Sequence, residues 1–392
     1  MNTETHCKAL AQFIESFRHD LHRFPELSSQ EFQTTGKIRQ ALESAGVRVL
    51  NLQLETGLVA ELGKPHQGPL VVLRADIDAL PINEQSGVEY VSQHPGVMHA
   101  CGHDFHTSAA LGAALLLKQS EDALPGRVRI LFQPAEETGV GAAQIVKSGA
   151  LDGADVIFGI HNDPLLPIGV VGSKADALTA GVDRFEILVT AKGGHAAIPQ
   201  ESNDPVIITG QLITAIQTLV SRNISSNDNA VVSITQVHSG NTWNVIADSA
   251  YLEGTVRTFS PPVRQKIEQR LRQVISGMAQ AFDAGIELRW HAGPPSVLNS
   301  AEWVDFSLQV AEGEGFKSRR IEASPIGEDF SYYQQKIPGA FMMVGSGGPY
   351  SLHHPKFRVD DRALFPTARY LAALARQSLA QLAAASPQVD VA

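Results

Sequence analysis

Four short apolar runs limit what this chain can fold into: LVVLR at 70–74, RVRILF at 127–132, DVIFGI at 155–160 and AFMMV at 340–344. Each has the length of a strand, and the runs are mostly apolar, as strands covered on both faces should be. Helical stretches lie between several of them, which is the pattern of an α/β domain. An acid or an imidazole stands past the C-terminal end of every run. Asp76 and Asp78 follow the first, Glu136 and Glu137 the second and His161 the third; His353 and His354 come after a glycine-rich loop beyond the fourth. Ligands of open α/β sheets bind at the carboxyl ends of the strands, so this placement predicts one site assembled from several strand ends.

Between the first two runs, MHACGHDFHT (98–107) holds one thiol, three imidazoles and a carboxylate. Cys101 and His103 flank Gly102. Residues at i and i+2 of an extended chain point to the same side, and glycine lets the chain bend, so sulfur and ring nitrogen can share a cation. The next segment, TSAALGAALLLK (107–118), reads as a helix rich in small residues. The pair is therefore expected on a loop leading into a buried helix.

The middle of the chain has a different pattern. Strands are expected at 183–190, 230–238, 250–259 and 285–291, and helices at 204–221 and 261–282. Asp204 suits the N-cap of the first helix and Pro205 its first position. The second helix is amphipathic, with Val263, Ile267, Leu271, Val274 and Ile275 on one face. The order βαββαβ is the split, ferredoxin-like unit. It separates the segment bearing His161 from that bearing His353, so it reads as an insertion with seams near Ala180 and Pro294. The expected domains are thus 1–180 with 295–392, and 181–294. Helices are also expected at 6–17 and 34–45, with a strand at 57–62. His19 and His22, between those helices, read as surface or packing groups. The terminal AAASPQVDVA (383–392) reads as a frayed tail.

A chain of 392 residues exceeds what one core normally covers, which supports two domains. The net charge of −10 argues against a nucleic-acid footprint, which needs a basic face. No apolar run approaches a membrane span, and the N-terminal MNTETHCKALAQF lacks the pattern of a secretory signal. With only Cys7 and Cys101, a disulfide framework is implausible. A reducing, cytoplasmic setting fits, and there Cys101 is available as a thiolate while Cys7 reads as incidental. No repeat of fixed period is present.

Asp76, Cys101, His103, Glu136, Glu137, His161 and His353 are more donors than one metal requires. Thiolate, imidazole and carboxylate together suit two borderline-soft ions sharing a bridging ligand. A neighbouring carboxylate can then move a proton from water to a leaving nitrogen. Glu136 and Glu137 could divide ligand and base between them, and spacing leaves open which does which.

The motifs DLHRFPELS, RADIDALPINE, MHACGHDFHTSAALGAA, ILFQPAEE, GIHNDP, GGHAAIP, GTVRTF, EDFSYY and LHHP run from about residue 20 to 355. Through them the chain resembles the aminoacylase-like family of dinuclear metallo-amidohydrolases, in the branch of hippurate hydrolases and plant auxin-conjugate (indoleacetyl-amino acid) hydrolases. The resemblance implies a mixed-sheet α/β/α catalytic domain with an inserted α+β lid and dimerisation domain. It implies that Cys101, His103, Glu137, His161 and His353 bind two divalent ions (Zn, Mn, Co or Ni), with Cys101 as the bridge. It implies Glu136 as general base and Asp76 as a carboxylate that orients a ligand. His195 would be the lid histidine that stabilises an oxyanion, often across a dimer interface, and Asn244 and Arg257 would meet the substrate carboxylate. The chain departs from the family at Phe24, where histidine is common, at Gly327 before EDF, and at His354, where asparagine is common.

The expected activity is hydrolysis of the amide bond of an N-acyl or N-aroyl amino acid, with a dipeptidase or carboxypeptidase on the same dinuclear site as the alternative. A thiol hydrolase using Cys101 with His103 or His106 explains neither the glutamate pair nor His161. A binding module that keeps the fold has no need of Glu136. His99 and His106 read as supports behind the ligands or as surface groups. The expected partners are a small-molecule substrate and a second copy of the chain, as a homodimer or higher homo-oligomer through the inserted domain.

Overall fold

The computed structural model describes residues 3–385. Helices α1 (Thr3–Arg23) and α2 (Phe32–Ser44) precede strands β1 (Arg48–Val49), β2 (Leu58–Leu62) and β3 (Leu70–Asp76). Then come α3 (His103–Lys118), β4 (Arg127–Gln133), α4 (Gly141–Lys147), β5 (Val156–Asp163) and β6 (Val170–Ser173). The middle of the chain forms β7 (Gly181–Thr190), α5 (Pro205–Asn223), β8 (Ala230–Ser239), β9 (Ser249–Thr258), α6 (Pro261–Phe282) and β10 (Gly285–Ala292). The remaining elements are α7 (Ala301–Gly313), β11 (Lys317–Arg320), α8 (Ser331–Gln334), β12 (Gly339–Gly345) and α9 (Leu364–Ala385). Of the tail read as frayed, 383–385 complete α9 and the rest lies outside the described residues.

Two compact units result. One takes the chain up to Asp176, Leu298–Glu322 and the residues from Asp329 onward; the other takes Ala177–Val297 with Ala323–Glu328. The last segment was expected with the flanking domain. It joins the second unit through Ser324 N–H to Leu178 O at 2.9 Å and Ala180 N–H to Ile326 O at 3.0 Å.

The first unit carries a mixed eight-stranded sheet in the order β1-β2-β4-β3-β5-β12-β6-β11. Its four central strands, β4, β3, β5 and β12, are mutually parallel, so their C-terminal ends lie along one edge. β3 and β12 are buried throughout, which is why their sequences are apolar without alternation. Small residues in α3 have a packing reason: a Cβ at Gly112 would stand 2.8 Å from Ala368 Cβ on α9. Leu111, Ala114, Leu371 and Leu374 from these two helices are among the buried residues of this core.

The second unit is an antiparallel sheet, β8-β9-β7-β10, with connections of the βαββαβ type. Burial alternates strictly along β9, as it should in a sheet covered on one face. α5 supplies Ile208, Leu212, Ile216 and Leu219 to the covering layer, and α6 supplies Val263, Ile267, Leu271 and Ile275. Asp204 caps α5 by accepting from Val206 N–H at 2.9 Å and Ile207 N–H at 3.4 Å. Among the described residues, no helix is long and apolar enough to cross a membrane.

Candidate metal centre

The parallel strand ends of the first unit deliver most of the candidate residues. β3 ends at Asp76, with Asp78 two residues on. Beyond β4 the chain passes Ala135 with φ 51° and presents Glu136 and Glu137. His161 sits inside β5 rather than past its end, because the ladder to β12 continues from Met343↔His161 to Gly345↔Asp163. His353 follows β12 with φ 63°, its N–H bonded to Ala100 O at 2.8 Å. Left-handed backbone at residues with a Cβ stores strain of about 1–3 kcal/mol and persists where the surroundings impose it; here it marks two of the donor-bearing turns.

α3 begins at His103, not near Thr107, so the imidazole stands on the first helical turn instead of a preceding loop. Gly102 turns the chain into that helix with φ 86°, and a Cβ there would lie 2.3 Å from Asn162 Nδ2. Asn162 Nδ2 donates to Cys101 O at 2.5 Å, so the glycine leaves room for the bond that holds the cysteine's peptide.

The side chains converge in overlapping sets whose donor atoms lie within 4.8 Å of one another. One set is Cys101, His103 and His161; another is Cys101, Glu137 and His353; a third is His103, Glu136 and Glu137. The first two share only the cysteine sulfur. Cys101 Sγ is 3.3 Å from His161 Nε2. Glu137 Oε1 is 3.8 Å from His103 Nε2 and 3.6 Å from His353 Nε2. His353 is 52% exposed and gives the cluster an open side, whereas His103 and Cys101 are buried. His354 is engaged otherwise: its Nδ1 accepts from Lys356 N–H at 3.0 Å and its ring stacks on Tyr350.

These residues fit a cation. His103 Nε2 and Glu137 Oε1 are buried and have no hydrogen-bond partner among the described residues. Leaving such atoms unmet costs about 1–3 kcal/mol each. Burial lifts the Glu137 carboxyl to about 7, against the pull of His103. Burial and the Glu137 charge together push the Cys101 thiol well up. His103 is also raised: burial opposes this, and the Asp76 charge with the hydrogen bond to Asp78 overcomes it. Without a cation, protons hold positions that a metal would take.

The orienting carboxylate differs from expectation. Asp78, not Asp76, faces His103 Nδ1, at 3.1 Å. Asp78 also accepts from Ser28 Oγ–H at 2.7 Å and Glu137 N–H at 3.0 Å. Asp76, fully buried, accepts from Arg74 Nη1 at 2.7 Å and meets His106 Nδ1 at 2.6 Å. His106 Nε2 in turn accepts from Asn162 N–H at 2.8 Å. Burial pushes His106 down to about 4, which keeps it a neutral bridge between Asp76 and the residue after His161. His99 is buried as well, so neither flanking histidine is a surface group. His161 Nδ1 donates to Asn162 O at 2.7 Å, which turns Nε2 toward Cys101. Asp329, from the EDF motif, accepts from Arg74 Nη2, Gln133 Nε2 and Ala142 N–H at 2.8–3.0 Å. The signal for Asp78 was its position two residues past Asp76; that for His106 was its i+3 spacing from His103 on a helix.

His195, Asn244 and Arg257 belong to the second unit. A two-residue ladder pairs His195 with Val245 and Gly194 with Ile246, and Ala196 N–H donates to Asn244 O at 3.2 Å. His195 Nδ1 accepts from Ala197 N–H at 3.1 Å, leaving the exposed Nε2 as the donor of the neutral ring. Arg257, half-buried on β9, makes no side-chain hydrogen bond among the described residues. Burial pulls its pKa down and Asp183 opposes this. A Cβ at Gly327 would stand 3.8 Å from Arg257 Nη1 and 2.6 Å from Val182 Cγ2.

The chain is similar to known proteins over nearly its whole length. The chain is 47% identical over 369 residues to the N-acetylcysteine deacetylase of Bacillus subtilis (strain 168), covering 94% of this chain and 97% of that protein. It is 38% identical to IAA-amino acid hydrolase ILR1-like 5 of Arabidopsis thaliana, over 96% of this chain and 89% of that one. The crystal structure of the Bacillus subtilis YXEP protein, described as a dinuclear metal binding peptidase, matches with a TM-score of 0.86 and 43% identity. That match covers 95% of this chain and 99% of the solved one. Residues 72–377 match the family described as peptidase family M20/M25/M40, and the chain belongs to that family.

Proposed function

We propose that the chain is a metal-dependent amidohydrolase that cleaves the amide of an N-acyl or N-aroyl amino acid into a carboxylic acid and a free amino acid. The observation that carries this reading is the shared sulfur: two ligand sets meet at Cys101, and Glu136 belongs to a third set beside them. Cys101, His103 and His161 would hold one divalent ion, and Cys101, Glu137 and His353 the other. Mixed sulfur, nitrogen and oxygen donors suit Zn, Mn, Co or Ni. Such a pair, when bound, acidifies water and polarises the scissile carbonyl.

The protein's own part is positioning and proton transfer. Glu136 takes the proton of the attacking water and returns it to the leaving nitrogen. Asp78 keeps His103 Nδ1 protonated, so that Nε2 presents a lone pair. His195 donates from Nε2 to the developing oxyanion, a contribution that typically multiplies turnover by about 10²–10³. Arg257, whose planar fork matches a carboxylate, holds the amino-acid end with Asn244. The second unit serves as the lid and pairs two copies of the chain, and the setting is cytoplasmic.

The names of the two curated relatives favour acylated amino acids as the substrate class. The test is kcat/KM of metal-loaded protein on N-acetylcysteine, N-benzoylglycine, an indoleacetyl amino acid and a free dipeptide. Turnover of at least one acylated amino acid well above the dipeptide is expected; the reverse order favours the dipeptidase reading. Chelator should abolish activity and divalent metal restore it. Activity that survives full chelation would sink the proposal.

A further inference from the structure

Asp104, the second residue of α3, directly follows His103 and is fully buried. A lone buried carboxylate is costly by several kcal/mol. Its Oδ2 meets two groups from α1: Arg18 Nε at 3.1 Å and His22 Nδ1 at 2.9 Å. Arg18 and His22 stand one helical turn apart and are 1% and 2% exposed. Each reaches further. Arg18 Nη1 lies 3.3 Å from Tyr90 Oη and also pairs with Asp361. His22 Nε2 lies 3.1 Å from Glu84 Oε1, and Glu84 accepts from Ser92 N–H at 2.7 Å.

The cluster has a place in the chain that gives it meaning. Residues 77–102 contain no helix and no strand beyond isolated bridges. Irregular segments of that length are uncommon in compact domains. This one carries Asp78 and Cys101 and delivers His103. It is anchored from the end of α1 at several points, including Gln93 N–H to Arg23 O at 2.7 Å and His94 Nδ1 to Pro25 O at 2.8 Å. The Asp104 ion pairs anchor its far end, where α3 starts. Well-packed apolar residues would stabilise a fold as well as a buried ion cluster does, so stability alone does not account for it. Registry does: a carboxylate oxygen bonded to His22 Nδ1 and ion-paired with Arg18 Nε allows one placement of the first turn of α3.

We propose that Arg18 and His22 are positioning residues for the metal centre, acting through Asp104 to fix the start of α3 and with it the spacing of His103 and Cys101. The inference rests on the metal-site reading above. Its test uses Co2+ alone as the probe, with Arg18→Lys, His22→Gln and Asp104→Asn. Dissociation constants from chelator competition, the Co2+ absorption bands and metal-free thermal unfolding are measured together. Arg18→Lys and His22→Gln should each weaken one of the two ions about 10- to 100-fold, the range for residues that support ligands from behind. Its absorption bands should shift while unfolding stays cooperative. In an Asp104→Asn background, Arg18→Lys should add nothing further, since both changes break one link. Wild-type affinities and spectra in both α1 variants overturn the inference alone, as does full additivity with Asp104→Asn. A wild-type protein that takes up no Co2+ overturns the metal reading, and this inference with it.

Discussion

Replacing Asp78 with asparagine tests the site through a single proton. Two donors, Ser28 Oγ–H at 2.7 Å and Glu137 N–H at 3.0 Å, converge on Asp78 Oδ2, while Oδ1 faces His103 Nδ1 at 3.1 Å. Asparagine has only one acceptor oxygen. The two donors claim it, and the new amide NH2 then points at His103 Nδ1. That nitrogen must accept, so the ring proton moves to Nε2, the atom that should bind metal. Restoring the ligating tautomer leaves buried donors unmet, at roughly 1–3 kcal/mol, or about 5- to 150-fold in affinity. The loss should fall on one ion only. The set Cys101–His103–His161 suffers, while Cys101–Glu137–His353 keeps its donors. Chelator competition should therefore change from two tight steps to one tight and one weak. Nitrogen NMR of metal-free Asp78→Asn should find His103 Nδ1 without its proton, whereas the wild type, in which His103 is held protonated, keeps one there. Two ions bound as tightly as in the wild type, or a proton still on Nδ1, would refute the reasoning.

Other expectations follow from the same geometry. Glu136→Gln should bind both ions yet turn over about 10²–10⁴-fold more slowly; metal analysis beside steady-state kinetics checks this. Burial lifts Glu137 from its ordinary 4.5 to about 7 in the metal-free fold. A raised carboxyl contributes stability that is present below about 4.5 and lost as pH rises through about 7. Metal-free Glu137→Gln should therefore outlast the wild type at pH 8, by on the order of 3 kcal/mol. That advantage should vanish near pH 4, and denaturant unfolding at the two pH values tests it. Gly102→Ala combines φ 86° with a Cβ 2.3 Å from Asn162 Nδ2. It should cost about 1–3 kcal/mol and loosen metal binding; an unchanged unfolding midpoint would contradict this.

The sheet's centre was legible because strands buried on both faces must be apolar, and parallel pairing forces their donor-bearing ends to one edge. The βαββαβ unit was equally readable, since its periodicities switch cleanly between two and 3.6 residues. The edge strands were not. β11 is Lys-Ser-Arg-Arg, a polar run whose strand character comes only from pairing with β6. The start of α3 was misjudged because His103, Asp104 and His106 interrupt its apolar pattern. They are polar for the site, not for solvent. His22 read as a surface or packing group for a related reason. Leu10, Ile14, Arg18 and His22 form one buried stripe along α1, and the charged half of it hides among a helix's solvated residues. The choice between Asp76 and Asp78 depended on side-chain direction past a strand end, which periodicity does not specify.

One sulfur stands at the junction of both halves of the centre. On the proposed ligation an oxidant needs only a single target there: conversion of Cys101 to a sulfenic or sulfinic acid would take a donor from each ion at once. An enzyme so ligated would lose both ions together.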